Sequence, residues 1–130
     1  LPFNGTYWSI THKNEYVGGV VCPSPTGIDI EKICPRAKSL FRKTADEAEW
    51  ALADKTFTTF FRYWTAKEAV LKAAGIGLRD LSKCRIRRVL GTHHLDVEYD
   101  GNKWQIEHNF FNSHIASIVK NDFVIEWTIC

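Results

Sequence analysis

The sequence contains no methionine and only four cysteines, and these are too far apart to form a metal or redox motif. Cys22, Cys34, Cys84 and Cys130 include no CxxC pair, which excludes a zinc knuckle and a thioredoxin-type site. A small secreted scaffold held by disulfides carries denser cysteines, so we expect free thiols in a reducing cytoplasm.

Strong net charge and long apolar runs are also missing. The formal net charge of +2 does not by itself indicate nucleic-acid binding, and it is compatible with an anionic small molecule or an acidic partner. No apolar run reaches the length of a membrane span, and no basic and apolar leader opens the chain, which favours a cytoplasmic location. Because the chain begins at Leu1, the missing leader carries little weight.

The composition is that of an ordinary globular protein. At 130 residues, with 45% hydrophobic and 25% charged residues, the chain supports one domain over residues 1–130. We expect strands at 7–11, 16–22, 27–31, 84–90, 95–99, 103–108, 114–120 and 123–129, and helices at 36–43, 44–54 (with a Thr44–Glu47 capping box) and 56–74. This order predicts an α+β domain, with an antiparallel sheet packed against about three helices.

Glu68 has an unusual position in the third predicted helix. The apolar residues of this helix recur at three-and-four spacing on one face, and Glu68 continues that face between Trp64 and Leu71. A surface ion pair with Lys72 is the ordinary interpretation, and it would contribute on the order of half a kcal/mol. A carboxylate on a packing face nevertheless needs a cation or a hydrogen bond, since burying it alone is costly.

Two further acids, Asp29 and Glu31, lie in the stretch GIDIE, and on a strand both carboxylates point to one face. A half-buried strand with its acidic side in water is the usual meaning of this alternation. Together with Glu68, however, the two acids supply three hard oxygen ligands of the kind that Mg²⁺ prefers. Lys67 and Lys72 beside them would hold phosphate charge, which gives metal-assisted phosphoryl transfer as a hypothesis.

Three motifs in this order are similar to those of a known enzyme family. SITHK at residues 9–13 precedes GIDIE, and W-x-x-K-E-A-x-x-K follows at residues 64–72. The chain resembles the 4′-phosphopantetheinyl transferase superfamily, in particular its larger surfactin-synthetase-activating type, in which the corresponding first strand ends in Ser-His-Ser. The resemblance covers Leu1 to about Leu81 and implies the fold of that superfamily.

These enzymes transfer the phosphopantetheine arm of coenzyme A to a serine of a carrier protein and release adenosine 3′,5′-bisphosphate. The resemblance implies that Asp29, Glu31 and Glu68 bind Mg²⁺, and the same oxygen donors suit Mn²⁺. It implies that Glu68, directly or through a water on the metal, takes the serine proton. Lys72 would contact the α- and β-phosphates and assist departure of the nucleotide.

The remaining implied contacts are with coenzyme A, the co-substrate. Thr11 and His12 would contact a coenzyme A phosphate, Lys67 would support the phosphates, and Trp64 would pack the helix. The implied partner is an acyl or peptidyl carrier protein of fatty-acid, polyketide, peptide or another biosynthesis.

The chain departs from the family pattern at Thr11, at Lys13 and in its length. Thr11 replaces the usual serine before the histidine and keeps its hydroxyl. Lys13 replaces a small hydroxyl residue, and it either adds a phosphate contact or is solvated. The chain resembles only the second half of the larger type, which is a pseudodimer. The smaller holo-acyl-carrier-protein synthases have this length and form trimers, but their GIDI stands near the N-terminus. Three arrangements are therefore possible: the chain self-associates as a dimer or trimer, relies on an N-terminal half, or is a domain of a larger synthase. We favour self-association.

Other assignments of these features remain open. The basic residues Lys83, Arg85, Arg87 and Arg88 either dock an acidic carrier helix or form a solvated strand face. A non-catalytic domain that binds coenzyme A or a carrier protein is the main alternative to an enzyme. A nucleic-acid-binding domain is disfavoured by the near-neutral charge and the acidic strand.

The histidines outside the SITHK motif do not suggest a metal site. His93 and His94 start a strand after a turn and are expected at the surface, and no acid or cysteine spacing recruits His108 or His114.

Overall fold

The computed structural model describes residues 2–3 and 5–129, and of residues 2, 3, 78 and 79 it describes the backbone alone. Leu1 and the predicted free thiol of Cys130 lie outside this range. The elements in chain order are β1 (Pro2–Phe3), β2 (Thr6–His12), β3 (Val17–Cys22), β4 (Ile28–Lys32), α1 (Ser39–Thr44), α2 (Glu47–Trp50), α3 (Phe57–Ala74), a 3₁₀ helix (Leu78–Lys83), β5 (Arg85–Leu90), β6 (His94–Tyr99), β7 (Asn102–Phe111) and β8 (His114–Val119).

The strands form two antiparallel sheets. The first has the order β1-β2-β3, and the second has the order β4-β8-β7-β6-β5. Helix α3 packs on the second sheet, and apolar side chains from both fill the space between them: Tyr63, Ala66, Val70, Leu71, Ile86, Leu95, Val97, Ile106, Ile115 and Val119. The predicted α+β fold with three helices and antiparallel strands is confirmed. Cys22, Cys34 and Cys84 are free thiols, as predicted.

Helix α3 begins and ends where the sequence predicts. The Thr56 hydroxyl accepts a hydrogen bond from the Thr59 amide at 3.2 Å, which caps the first turn. Gly75 ends the helix in the left-handed conformation, with φ of 73°. Among the residues described, no helix is both long enough and apolar enough to cross a membrane.

The second predicted helix is shorter than expected, and its cap is displaced. The capping box is formed by Asp46 and Glu49, not by Thr44 and Glu47, and α2 has only four residues. Thr44 instead ends α1, where its hydroxyl donates to the Leu40 carbonyl at 2.9 Å. A capping-box spacing occurs twice within this segment, and the tertiary contacts of Glu49 select the second one.

The predicted strand at residues 123–129 is wrong. A strand following β8 in a meander would pair with the free edge of β8, but β4 already occupies that edge. Asn121 turns the chain away with φ of 48°, and the following segment runs without strand pairing. It is attached through Trp127, whose indole Nε1 donates to Glu107 Oε2 at 2.6 Å.

A buried polar row fixes α3 against the second sheet. Ser117 Oγ lies 2.6 Å from Thr65 Oγ1 and 2.7 Å from His108 Nδ1. Thr65 also donates to the Phe61 carbonyl at 2.6 Å, so all contacts are satisfied when Ser117 donates to Thr65 and His108 Nδ1–H donates to Ser117. His108 Nε2 then carries a lone pair, and it has no hydrogen-bond partner among the described residues.

This arrangement predicts that His108 makes the fold acid-labile. Burial, followed by the charges of Arg62 and two histidines, lowers the pKa of His108 well below its ordinary value of 6.5. The unfolded chain therefore binds a proton below about pH 6.5 that the folded chain does not bind. His108 should lower the free energy of unfolding by up to about 1.4 kcal/mol per pH unit below that point.

Urea unfolding at several pH values checks this prediction by difference. The contribution of His108 is the difference in pH dependence between the unchanged chain and His108→Gln, because Asp29 and Glu68 act with the opposite sign in the same range. The exposed His12, whose charge is not among those that lower the pKa of His108, provides the control, and His12→Gln should retain the pH dependence that His108→Gln loses. Equal profiles for His108→Gln and the unchanged chain would contradict the prediction.

Candidate active site

Asp29 is a buried carboxylate that is only half satisfied. Its side chain lies on β4 and the residue is 4% exposed. Oδ1 lies 3.4 Å from the Thr11 hydroxyl and 3.5 Å from Lys72 Nζ, whereas Oδ2 has no hydrogen-bond partner among the described residues. Burial raises the pKa of Asp29 to about 6, although Lys72 opposes the shift. A buried oxygen without a donor is suited to a cation.

Helix α3 brings Lys72 directly onto β4. The Lys72 ammonium donates to the Ile28 carbonyl at 2.8 Å and reaches Asp29, while 32% of its side chain stays exposed. The approach is close because Gly27 lies against the helix backbone, and an added Cβ at Gly27 would stand 1.9 Å from the Ala69 carbonyl oxygen. Lys72 is thus fixed at one end of the site and remains open to a ligand.

Glu68 lies one helical turn before Lys72 and faces the same strand. Its carboxylate has no hydrogen bond or ion pair within the described part of the chain. Burial and then the neighbouring charge of Asp29 raise the pKa of Glu68 to about 7, with Lys72 opposing. The predicted convergence of Asp29, Glu68 and Lys72 is therefore present, and its two acids lack sufficient positive charge.

Glu31 does not complete the acidic group in the same way. Its carboxylate pairs with Lys13 at 3.0 Å. Within residues 2–3 and 5–129, no three His, Cys, Asp or Glu side chains are gathered in an arrangement that could hold a metal ion. Lys13 was not among the predicted site residues, and the signal for it was its place directly after the Thr11-His12 pair.

Thr11 and His12, the predicted coenzyme A contacts, lie on opposite faces of β2. Thr11 is buried, and its hydroxyl lies 3.4 Å from both Asp29 Oδ1 and the Ile30 amide. Ser9 similarly accepts from the Ile28 amide at 3.1 Å, so these hydroxyls join β2 to the free edge of β4. His12 is exposed on the opposite face of β2. Thr11 thus supports Asp29, and a phosphate contact of His12 stays a prediction.

Lys67 requires a correction, because the structure places it away from the acidic group. The residue is 1% exposed, and its ammonium pairs with Glu49 at 2.8 Å and donates to the Thr44 carbonyl at 2.6 Å. Glu49 also accepts from the Ile86 amide at 2.8 Å. A lysine fully used in a buried network cannot reach a phosphate without breaking that network. Its predicted role in phosphate binding is withdrawn.

The basic run at residues 83–88 forms ion pairs within the chain. Arg85 pairs with Asp46, Arg87 with Glu98, Arg88 with Asp96 and Lys83 with Asp80. These pairs favour the solvated strand face over a carrier-docking surface. Two of the remaining histidines, His108 and His114, are buried, and Trp64 stacks on Phe60 as a packing residue.

The part of the chain that forms this site is similar in sequence to a known enzyme family. The sequence profile of the 4′-phosphopantetheinyl transferase superfamily matches residues 25–126, which include β4, α3 and the whole second sheet. The chain belongs to the 4′-phosphopantetheinyl transferase superfamily. Within this superfamily fold, the matched range contains Asp29, Glu31, Glu68 and Lys72, but SITHK lies before it.

Two curated relatives of this superfamily carry the transferase name. The chain is 34% identical over 77 residues to 4′-phosphopantetheinyl transferase psf-1 of Bacillus pumilus, which covers 55% of this chain and 33% of the relative. It is 30% identical over 77 residues to 4′-phosphopantetheinyl transferase gsp of Aneurinibacillus migulanus, covering 55% and 32%. The matched part thus spans about a third of the length of each relative.

Proposed function

We propose that the chain transfers the 4′-phosphopantetheine group of coenzyme A to a serine hydroxyl of an acyl or peptidyl carrier protein. The observation that carries this proposal is the convergence of Asp29, Glu68 and Lys72, with an unpartnered buried oxygen on Asp29. Superfamily membership and the names of the two relatives support the same reaction.

The reaction exchanges the phosphoanhydride bond of coenzyme A for a phosphate ester bond to serine. The serine oxygen attacks the phosphorus that bears pantetheine, and the bond from that phosphorus to the bridging oxygen of the diphosphate breaks. Adenosine 3′,5′-bisphosphate leaves with the electron pair of that bond, and the serine proton passes to a base. Positioning and charge neutralisation therefore supply most of the catalysis, because little covalent chemistry is left to the protein.

The residues of the site divide this work between them. Lys72 is held by the Ile28 carbonyl and partly exposed, so it can neutralise charge on the departing phosphate. Glu68, an acceptor with no donor of its own among the described residues, would take the serine proton. Thr11 orients Asp29 through its hydroxyl.

The donor set fits a hard divalent cation at Asp29 and Glu68. Carboxylate oxygens are the ligands that Mg²⁺ prefers, and Asp29 Oδ2 is buried without a donor. Glu31 would join them once released from Lys13. When bound, Mg²⁺ would neutralise the diphosphate of coenzyme A, and Mn²⁺ suits the same donors.

A non-catalytic domain that binds coenzyme A or a carrier protein is the second candidate. It is favoured by length, because the match spans only about a third of each relative. Self-association as a dimer or trimer, a single domain over residues 1–130 and a cytoplasmic location stay predictions.

Transfer is tested by mass spectrometry of a carrier protein. An apo acyl carrier protein and an apo peptidyl carrier protein are each incubated with the chain, coenzyme A and MgCl₂. We expect the carrier mass to rise by one phosphopantetheine group, and the gain to disappear when EDTA replaces MgCl₂. Coenzyme A binding without any mass gain on either carrier would contradict the transferase and favour the binding domain.

A further inference from the structure

Lys13, for which the sequence allows a phosphate contact or a solvated side chain, lies at the acidic group. Its ammonium lies 3.0 Å from Glu31 Oε2, and its side chain is 40% exposed. Of the three carboxylates expected to bind a cation, Glu31 thus has the closest positive partner. Asp29 shares only the Lys72 ammonium, and Glu68 has no ion pair within the described residues.

The backbone at Lys13 is held by two hydrogen bonds to Tyr16, whereas its side chain is partly exposed. The Lys13 amide donates to the Tyr16 carbonyl at 2.8 Å, and the Tyr16 amide donates back at 3.3 Å. The Tyr16 ring packs on Phe111 and His114, with centroids 4.9 and 4.8 Å away. A long, partly exposed lysine side chain on this hydrogen-bonded turn can exchange its partner without any change in the fold.

The electrostatics tie Lys13 to the whole acidic group. Burial lowers the pKa of Lys13, but the hydrogen bond to Glu31 and the charges of Glu31, Asp29 and Glu68 outweigh this and raise it above its ordinary value. A divalent cation at the same carboxylates would repel the lysine ammonium and compete with it for Glu31.

The space next to Lys13 would receive an anion. A cleft of about 290 Å³ beside Glu31 is lined by Lys13 and Arg36, among others. Arg36 has no ion pair among the described residues, whereas Lys32 on the same cleft is paired with Glu15 at 3.9 Å. A lysine released from Glu31 would therefore find a cationic edge at which a phosphate can bind.

We propose that Lys13 is an exchangeable counter-ion, which neutralises Glu31 in the metal-free chain and moves to a phosphate of coenzyme A when Mg²⁺ binds. The inference rests on the proposed function, because it assumes that the three carboxylates bind Mg²⁺. It gives the lysine of SITHK two successive partners, first a carboxylate and then a phosphate.

Titration calorimetry with MgCl₂ tests the first half. Lys13→Gln removes the competing charge while keeping a long side chain, so we expect Mg²⁺ to bind about fivefold more tightly than to the unchanged chain. Lys32→Gln is the control. It removes the same charge from a residue that adjoins Glu31 in sequence but pairs with Glu15, so it should change Mg²⁺ affinity less than about twofold.

Titration with coenzyme A in saturating MgCl₂ tests the second half. Lys13→Gln should bind coenzyme A about fivefold more weakly, since it loses a phosphate contact. Lys103→Gln removes an exposed lysine of β7 that does not line the cleft, and it should bind coenzyme A as the unchanged chain does. The opposite signs of the two effects are specific to exchange, because a lysine that only stabilises the fold would shift neither affinity upward.

The outcomes separate the two proposals. Equal Mg²⁺ affinities for Lys13→Gln and the unchanged chain, or equal effects of Lys13→Gln and Lys32→Gln on Mg²⁺ affinity, would overturn the exchange and leave the transferase standing. Tighter Mg²⁺ binding with unchanged coenzyme A binding would overturn the phosphate contact. Absence of Mg²⁺ binding in every variant would overturn the metal site of the proposed function and the exchange with it.

Discussion

Glu68→Gln is expected to make the metal-free chain harder to unfold and to abolish phosphopantetheine transfer. Both effects have one cause, which is the placement of a carboxylate in a partly buried position beside Asp29 with too little positive charge. Glutamine has the same shape and no charge, so it removes the unfavourable burial of that charge. It also removes the base and one of the oxygen ligands expected to bind the cation.

The size of the stability gain follows from the pKa of Glu68. Burial, then Asp29, raise it from 4.5 to about 7, so the charged form is disfavoured in the folded chain. The cost is absent below pH 4.5, where the carboxyl is protonated in both states, and fully present above pH 7. Above pH 7 we expect Glu68→Gln to gain on the order of 2 kcal/mol, after allowance for the part of the side chain that faces solvent.

Three measurements check this prediction. Urea unfolding in EDTA above pH 7 and below pH 4.5 should show the gain only at the higher pH. MgCl₂ should raise the melting temperature of the unchanged chain more than that of Glu68→Gln, because binding to the folded state stabilises it. Mass spectrometry should show a transfer rate at least about 100-fold lower.

The exposed Glu47, at the start of α2, provides a matched control. Glu47→Gln makes the same chemical change and should keep full transfer with no stability gain. If Glu68→Gln were less stable than the unchanged chain in EDTA, Glu68 would be a structural residue, and the expected conflict between stability and function at this site would be wrong. A transfer rate within about threefold of the unchanged chain would remove Glu68 from the mechanism.

Local sequence signals predicted those parts of the site that lie on regular elements with unambiguous ends. Helix α3 is capped by Thr56 and ended by Gly75, so its extent was predictable. The four-residue spacing then placed Glu68 and Lys72 on the same face of the helix. Alternation in GIDIE placed Asp29 on the opposite side of β4 from Ile28. The pairing of these two elements did not follow from spacing alone, and family resemblance was needed to connect them.

Lys67 shows where local reasoning fails. It adjoins Glu68 in sequence, yet a helix turns by about 100° per residue, so neighbours face different surroundings. Lys67 follows Tyr63 by four residues and precedes Val70 by three, so the three side chains share one face of the helix, and that face is buried. This spacing was a usable signal that Lys67 points into the core. Its partner Glu49 lies 18 residues earlier, on α2, and no spacing rule predicts a contact between these two helices.

The wrong strand at residues 123–129 has a non-local cause of the same kind. Its alternation is suitable for a strand, but the edge it would join is taken by β4, which precedes it by about ninety residues in the chain. The contact of Lys13 with the acidic group was missed for a related reason. Lys13 follows β2 of the first sheet, whereas its partner Glu31 lies on β4 of the second.

Gly27→Ala is expected to destabilise the fold strongly and to disrupt the site. The first residue of GIDIE carries no catalytic group, but its backbone lies against α3. An added Cβ would stand 1.9 Å from the Ala69 carbonyl oxygen and 2.9 Å from the Ala73 amide nitrogen. Both contacts are with helix backbone, which cannot rotate away as a side chain would. The strand and helix must therefore separate.

The cost should exceed that of ordinary overpacking. We expect Gly27→Ala to lower the free energy of unfolding by about 3 kcal/mol or more, as measured by urea denaturation. Separation would also pull Lys72 from the Ile28 carbonyl, now 2.8 Å away, so transfer should fall more steeply than the folded fraction. The loss of activity then reports geometry as well as stability.

Gly19 on β3 provides the comparison for this substitution. An added Cβ there meets nothing nearer than the Ser9 carbonyl oxygen at 3.9 Å, so Gly19→Ala should stay within about 1 kcal/mol of the unchanged chain. If Gly27→Ala matched Gly19→Ala in stability, the close approach of β4 to α3 would be wrong. The distance at which Lys72 meets Asp29 would be wrong with it, because the same glycine sets both. Gly27 therefore links the first residue of a short sequence motif to the geometry of a site formed forty residues later.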